Sequence, residues 1–257
     1  MQVLDVQIST LSTEQVHAKI VDSLNAGVPC TITTLNPEIL LTSSENDLYR
    51  NVLNNQTVHT VDGVGLEWVL RIKNPKSASK NIQRLTGIDL MLQLLEKISE
   101  DDPVNNHVFL LSSRKGLSTW KQTALSIGQR YPHVLCSGQD VDFATNDPLD
   151  KTFTKSQVRD VARAIEKSGA KYVLCNFGAP WQEYFLDQLK NARLEKPCVY
   201  IGVGGAFDFI TGKRSRAPQW MRQLGLEWLF RLITQPRRLE RIISSVLIFP
   251  YKALTQK

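Results

Sequence analysis

Hydrophobic and polar positions along the chain change period repeatedly, and each change marks a new element. "STLSTEQVHAKIVDSLNAG" has helical spacing, opens with Ser12 and Gln15 as a capping box, and closes at Gly27. Leu11 and Val16 stand where a hydrophobic staple would clamp its start. "CTITTLN" then reads as a strand, "PEILLTSSENDLYRNVLNN" as one helix begun by Pro37, and "TVHTVD" as a second strand. After a polar loop, "TGIDLMLQLLEKISE" returns to the helical period. "HVFLLSS", "HVLCS", "KYVLCNF" and "CVYIGVG" read as further strands, separated by helices near 116–130, 153–168 and 181–193. Strands alternating with helices predict an α/β fold: a Rossmann-like, largely parallel sheet flanked by helices.

The final stretch follows another pattern. "APQWMRQLGLEWLFRLITQP" predicts one helix rich in tryptophan and leucine, stopped by Pro236. Beyond it Leu239, Ile242, Ile243, Val246 and Leu247 form one apolar stripe, with Arg237, Arg238 and Arg241 off it. Such a stripe suits docking on the protein core. It equally suits a helix lying on an anionic membrane surface, where each basic residue adds about 1 kcal/mol. The two can hold together if the stripe is shared. The chain therefore divides into an α/β domain, residues 1–210, and a basic amphipathic helical appendage, residues 211–257.

Charge strengthens that division. The formal net charge of the 257 residues is +6, yet ten Lys and Arg from Lys213 onward face two acids, Glu227 and Glu240, so the preceding residues sum to −2. With 42% apolar and 22% charged residues, wholesale disorder is excluded. Cys30, Cys136, Cys175 and Cys198 are scattered with no CxxC pair, which predicts reduced thiols in a cytosolic protein. The opening "MQVLDVQIST" lacks the basic and apolar blocks of a signal peptide, and no run of about 18 apolar residues predicts a membrane span. A nucleic-acid partner is not expected, because no strand interleaves aromatic and basic residues.

Ligands of open α/β sheets bind at the carboxyl ends of strands, and these strand ends are unusual. Thr34 and Asn36 follow the first, and Asp62, Gly63 and Gly65 the second. Gly178, Pro180, Gln182 and Glu183 follow "KYVLC", and Gly202, Gly204, Gly205 and Asp208 lie in "GVGGAFDF". Asp62 fits either a surface Asp-Gly turn or a carboxylate at the mouth of a cleft. Glycine-rich turns suit phosphate oxygens. "GVGGAF" departs from the dinucleotide fingerprint at Phe207, which leaves a Rossmann-type oxidoreductase as a lesser alternative. Asp140 and Asp142 in "GQDVDF" are spaced as a divalent-ion pair, a spacing any loop can also reach by chance. Arg84, ahead of a helix capped by Thr86, suits a diphosphate or, with Lys80, a plain basic loop.

"TTLNPE", "VDGVG", "RLTGIDL", "FGAPWQE" and the long block "IGVGGAFDFITGKRSRAPQWMRQLGLEWLFRLITQPRRLERI" together resemble the WecG/TagA/CpsF family, glycosyltransferase family 26. The resemblance runs in order from about Thr31 to about Ile242. It implies inverting transfer of an N-acetylmannosamine-type or related sugar from a UDP-sugar to a polyprenyl-diphosphate-linked sugar. The place implied is the cytoplasmic face of the bacterial cell membrane, in cell-surface polysaccharide or teichoic acid synthesis. No cofactor or metal is implied. The family's catalytic base falls on Asp62 and its substrate contacts on Thr34, Asn36, Gly63, Arg84, Gly178, Gln182, Glu183, Gly204, Gly205 and Asp208. Its appendage arginines fall on Arg214, Arg216, Arg222, Arg231 and Arg237. The implied partners are the UDP-sugar, the lipid-linked acceptor and an anionic membrane surface, and a homo-oligomer is compatible with them. A membrane-associated scaffold without catalysis is the competing reading. Two departures, "FLLSSRKG" for a more glycine-rich turn and "GQDVDF" where many members show Gly-Tyr-Phe, bear on which donor is used.

Overall fold

The computed structural model describes residues 1–75, 82–101, 106–143, 153–192, 194–196 and 198–255, without the side chain of Asp101. Lys80 lies outside the described residues. A short antiparallel hairpin, β1 (Gln2–Val3) and β2 (Val6–Gln7), precedes the α/β unit. The helix α1 (Thr13–Asn25) follows, with the expected capping box at Ser12 and Gln15.

Six parallel strands form the central sheet: β3 (Cys30–Leu35), β4 (Val58–Val61), β5 (His107–Ser113), β6 (Leu135–Val141), β7 (Tyr172–Cys175) and β8 (Val199–Gly202). Their spatial order is β4-β3-β8-β7-β5-β6, every neighbour parallel. Alternate residues serve opposite faces, as the two-residue period of a strand requires. Val108, Leu110, Leu174 and Ile201 enter one core cluster, while Phe109, Leu111, Val173 and Tyr200 enter the other. Burial on both faces explains why these strands read as continuous apolar runs rather than alternating ones.

Three elements differ from the sequence expectation. The helix expected from Pro37 onward is two, α2 (Pro37–Ser44) and α3 (Asp47–Asn54). Asn46 leaves the helical region at φ −146° and accepts the Tyr49 N–H at 3.1 Å, so it caps a new helix instead of continuing the old. The tryptophan-rich helix also splits, into α10 (Gln219–Gln223) and α11 (Glu227–Thr234). Gly225 between them has φ +72°, and a Cβ there would lie 2.8 Å from Val64 Cγ2. Finally, β6 runs past "HVLCS" and takes Asp140 into the strand. The remaining helices are α4 (Val64–Lys73), α5 (Gly87–Asp101), α6 (Trp120–Arg130), α7 (Lys155–Ser168), α8 (Trp181–Asn191) and α9 (Ala206–Ile210).

After Pro236 a short 3-10 turn leads into α12 (Leu239–Ile243), a π-helical turn over Ser244–Ile248, and α13 (Phe249–Thr255). Part of this region docks on the core and part of its apolar stripe stays uncovered. Phe249 and Ala253 are fully buried with Val3, Leu4, Leu40 and Leu70 in a third core cluster. Leu239, Ile243, Val246 and Leu247 of the apolar stripe stay exposed, Leu247 at 66%.

Candidate active site

The mouth of the sheet opens beside β3 and β4. Asp62 N–H donates to the Leu35 carbonyl at 2.7 Å, extending the parallel ladder one step past β4 and fixing where the aspartate emerges. Gly63, at φ +107°, then turns the chain into α4. The next segment returns along the sheet edge: Leu85 N–H donates to the Val61 carbonyl at 2.9 Å, and Arg84 forms a parallel bridge with Val61. Arg84 is thereby brought beside Asp62. Asn36 caps α2, its side-chain oxygen accepting the Ile39 N–H at 3.0 Å.

These groups line a cleft of about 580 Å³, within the range of sites for small organic ligands. One wall comes from the sheet edge: Asn36, Pro37, Glu38, Asp62, Gly63, Arg84 and Thr86. The other comes from the appendage, through Glu227, Trp228, Arg231, Arg238, Arg241, Ile242 and Val246. Loss of water pushes the Asp62 carboxyl up to about 6. Arg231 counters that rise, Glu227 adds to it, and the Gly87 N–H favours the charged form. Among the described residues no side chain hydrogen-bonds the Asp62 carboxylate, and the residue lines the cleft.

The appendage arginines sort into two groups. Arg214 pairs with Asp208 at 3.5 Å, and Arg216 with Asp89 at 2.7 Å. Arg222 donates to the Ala217 carbonyl at 3.1 Å, while its own carbonyl accepts Arg84 Nη2 at 2.7 Å. Those contacts fasten the appendage to the sheet. Arg231, Arg238 and Arg241 instead turn into the cleft. Arg231 holds Glu227 at 2.8 Å, and Arg241 pairs with Glu38. Arg238 makes no ion pair among the described residues. Burial, followed by the charges of Arg241, Arg231 and Arg214, pushes it down to about 10. Like charges crowded at half-burial create a site for an anion.

Of the residues singled out from sequence, the cleft therefore gathers Asn36, Asp62, Gly63, Arg84 and Arg231. Thr34 sits one layer behind it, donating to the Gly202 carbonyl at 3.2 Å. Gln182 and Glu183 are buried at the start of α8. Gln182 accepts the Gly204 N–H at 3.0 Å and donates to Glu183 at 2.7 Å, and Glu183 accepts Tyr49 Oη–H at 3.0 Å. This chain of bonds pins the glycine turn that includes Gly204 and Gly205. Gly178 shapes the preceding turn at φ +78°. Asp208 accepts Ser118 Oγ–H at 2.8 Å besides its pair with Arg214. Arg237 is exposed outside the cleft. Asp140 accepts the Trp120 N–H at 2.9 Å and so helps start α6, and among the described residues no cluster of His, Cys, Asp or Glu could hold a metal.

Sequence reasoning passed over Glu38, Glu227, Arg238 and Arg241 as site residues. The signal was available for the arginines, since Arg238 and Arg241 are three apart on one helical face.

A carboxylate raised by burial at the carboxyl edge of a parallel sheet thus faces a wall of arginines across one cleft. The chain matches the glycosyl transferase WecG/TagA/CpsF family over residues 1–257; it belongs to that family and is a glycosyltransferase. It is also similar to the N-acetylglucosaminyldiphosphoundecaprenol N-acetyl-beta-D-mannosaminyltransferase of Bacillus subtilis (strain 168), 30% identical over 224 residues, which cover 87% of this chain and 77% of that one.

Proposed function

We propose that the protein transfers an N-acetylmannosamine-type sugar from a UDP-sugar, with inversion, to a polyprenyl-diphosphate-linked sugar. The observation that carries this reading is Asp62, a carboxylate raised to about 6 and open to a cleft opposite arginines. An acceptor hydroxyl needs a base as its oxygen attacks the anomeric carbon opposite the leaving diphosphate. A carboxylate with a pKa near neutrality takes that proton more readily than an ordinary aspartate and is still ionised at pH 7. The departing UDP gathers negative charge, and Arg238, Arg231, Arg241 and Arg84 stand ready to meet it. Similarity to the mannosaminyltransferase supports the choice of sugar and of acceptor.

A lipid-linked acceptor requires the cleft to reach a bilayer. Among the described residues no helix is long and apolar enough to cross one. The appendage instead exposes Trp220, Leu224, Ile233, Leu247 and Tyr251 around its basic residues, a surface that fits peripheral docking on the anionic inner face of the cell membrane. The 1–210 core would carry the chemistry of the sheet edge, with the 211–257 appendage completing the site.

The test is transfer from UDP-N-acetylmannosamine to a short-chain lipid-diphosphate acceptor, with and without EDTA. Wild-type turnover surviving EDTA, and a loss of about 10³-fold in Asp62→Asn, is expected. Undiminished turnover in Asp62→Asn would remove the base from the mechanism. A membrane scaffold without catalysis would give no turnover and no thermal shift with UDP.

A further inference from the structure

Glu227 is the single acidic residue that the appendage contributes to the cleft lining, which it shares with Asp62. It lies on α11, four residues before Arg231, and takes that guanidinium in an i,i+4 pair at 2.8 Å. Its side chain is 15% exposed, so the pair is drawn partly out of water. A bare arginine facing an aspartate across a confined cleft would close into an ion pair, which protects the proton-accepting oxygens and weakens the base.

We propose that Glu227 is a positioning residue for the transfer reaction: by holding Arg231 on the appendage wall, it keeps that cation from sealing Asp62 and leaves the base open to the acceptor hydroxyl. This rests on the reading of Asp62 as the base. Asp62, Glu227 and Arg231 line one cleft, and Glu227 grips the guanidinium. Arg231 feels both carboxylates, which together raise it despite its burial. Asp62 in turn feels Arg231 downward and Glu227 upward.

Other charges face the same carboxylate. Asp89, from α5, adds a smaller upward push and is itself tied to Arg216. Glu38, from α2, is paired with Arg241, and Arg84 is fixed to the Arg222 carbonyl. Arg238 stands across the cleft with Arg241. Asp89, Glu38, Arg84 and Arg241 are each engaged elsewhere, and among the charges that bear on Asp62 those of Arg231 and Glu227 are the largest. The same grip keeps Arg231 in the cleft lining, where the leaving diphosphate would gather charge.

The experiment measures kcat/KM against pH for wild type, Glu227→Gln, Glu227→Asp and Asp62→Asn, with UDP-sugar and a lipid-diphosphate acceptor. Removing the Glu227 charge takes away its own upward push on Asp62 and also frees Arg231 to pair with that carboxylate, so the acid limb moves down by about half a unit to one unit. Plateau kcat falls about 10-fold as the base weakens. Glu227→Asp keeps the charge and returns the limb toward the wild-type position. A kcat loss in Glu227→Gln with an unmoved acid limb would reduce Glu227 to a helix-stabilising role, and wild-type behaviour would remove it altogether. Full activity in Asp62→Asn would instead overturn the base assignment on which the inference stands, so the two failures are told apart.

Discussion

Asp62 and Glu183 are both carboxylates withdrawn from water, and burial raises both. Their surroundings separate them. Glu183 is sealed at 1% exposure, with one oxygen accepting from Gln182 and the other from Tyr49. Every lone pair that matters is taken, and the result is a strut between α3, α8 and the glycine turn. Asp62 is held by backbone alone and meets a cleft with arginines opposite. A raised carboxyl therefore marks chemistry only where its oxygens are left unclaimed by the fold.

The contrast can be broken by substitution. The largest effect on stability is expected from Glu183→Ala, which strands the Gln182 amide and the Tyr49 hydroxyl in the core and opens a cavity. A loss of about 3 kcal/mol follows, read as a fall in urea midpoint at constant slope.

Asp62→Asn should move the other way. A carboxyl raised from 3.8 to about 6 binds its proton more tightly when folded, so its ionisation costs stability as pH rises from about 4 to 6 and fully above that. Removing the charge should stabilise the protein by about 2 kcal/mol at pH 7.5, after allowing for solvent screening, and by nothing below about pH 4. Melting curves across that range check the sign. A destabilised Asp62→Asn would mean that the aspartate is a strut like Glu183.

The smallest change belongs to Glu183→Gln. It keeps the shape and the bond from Gln182 while discarding the charge, and stability should stay within about 1 kcal/mol of wild type. Transfer should remain within a few-fold of wild type, against the collapse expected for Asp62→Asn. An inactive, stable Glu183→Gln would erase the distinction between the two carboxylates.

The inner strands were legible because they are buried on both faces and leave an unbroken apolar run, as in "KYVLC" and "CVYIG", whereas the half-exposed edge strand β6 showed only its start. Asp62 was legible because strand ends gather ligands and an acid there is conspicuous. The helix break at Asn46 was written in a residue type that caps helices, but the apolar period on both sides masked it. Gly225 was masked in the same way, since the close approach of Val64, which leaves no room for a Cβ, comes from another element. Gln182 and Glu183 show the limit from the other side: a polar pair after a glycine turn reads the same whether it faces a ligand or locks a loop. Glu227 left no signal, since an i,i+4 Glu-Arg pair decorates countless exposed helices.

The third core cluster joins the first residues of the chain to nearly the last: Val3, Leu4, Val6 and Ile8 close over Leu40, Leu70, Phe249 and Ala253. During synthesis, the early hairpin and the helices around it therefore lack the cover of Phe249 and Ala253 until translation has passed residue 253. The wall that supplies Arg231 and Arg238 lies between this anchor and the earlier one made by Arg214, Arg216 and Arg222. With both ends of that segment held only once the third cluster closes, the nascent protein would complete its cleft and its core together.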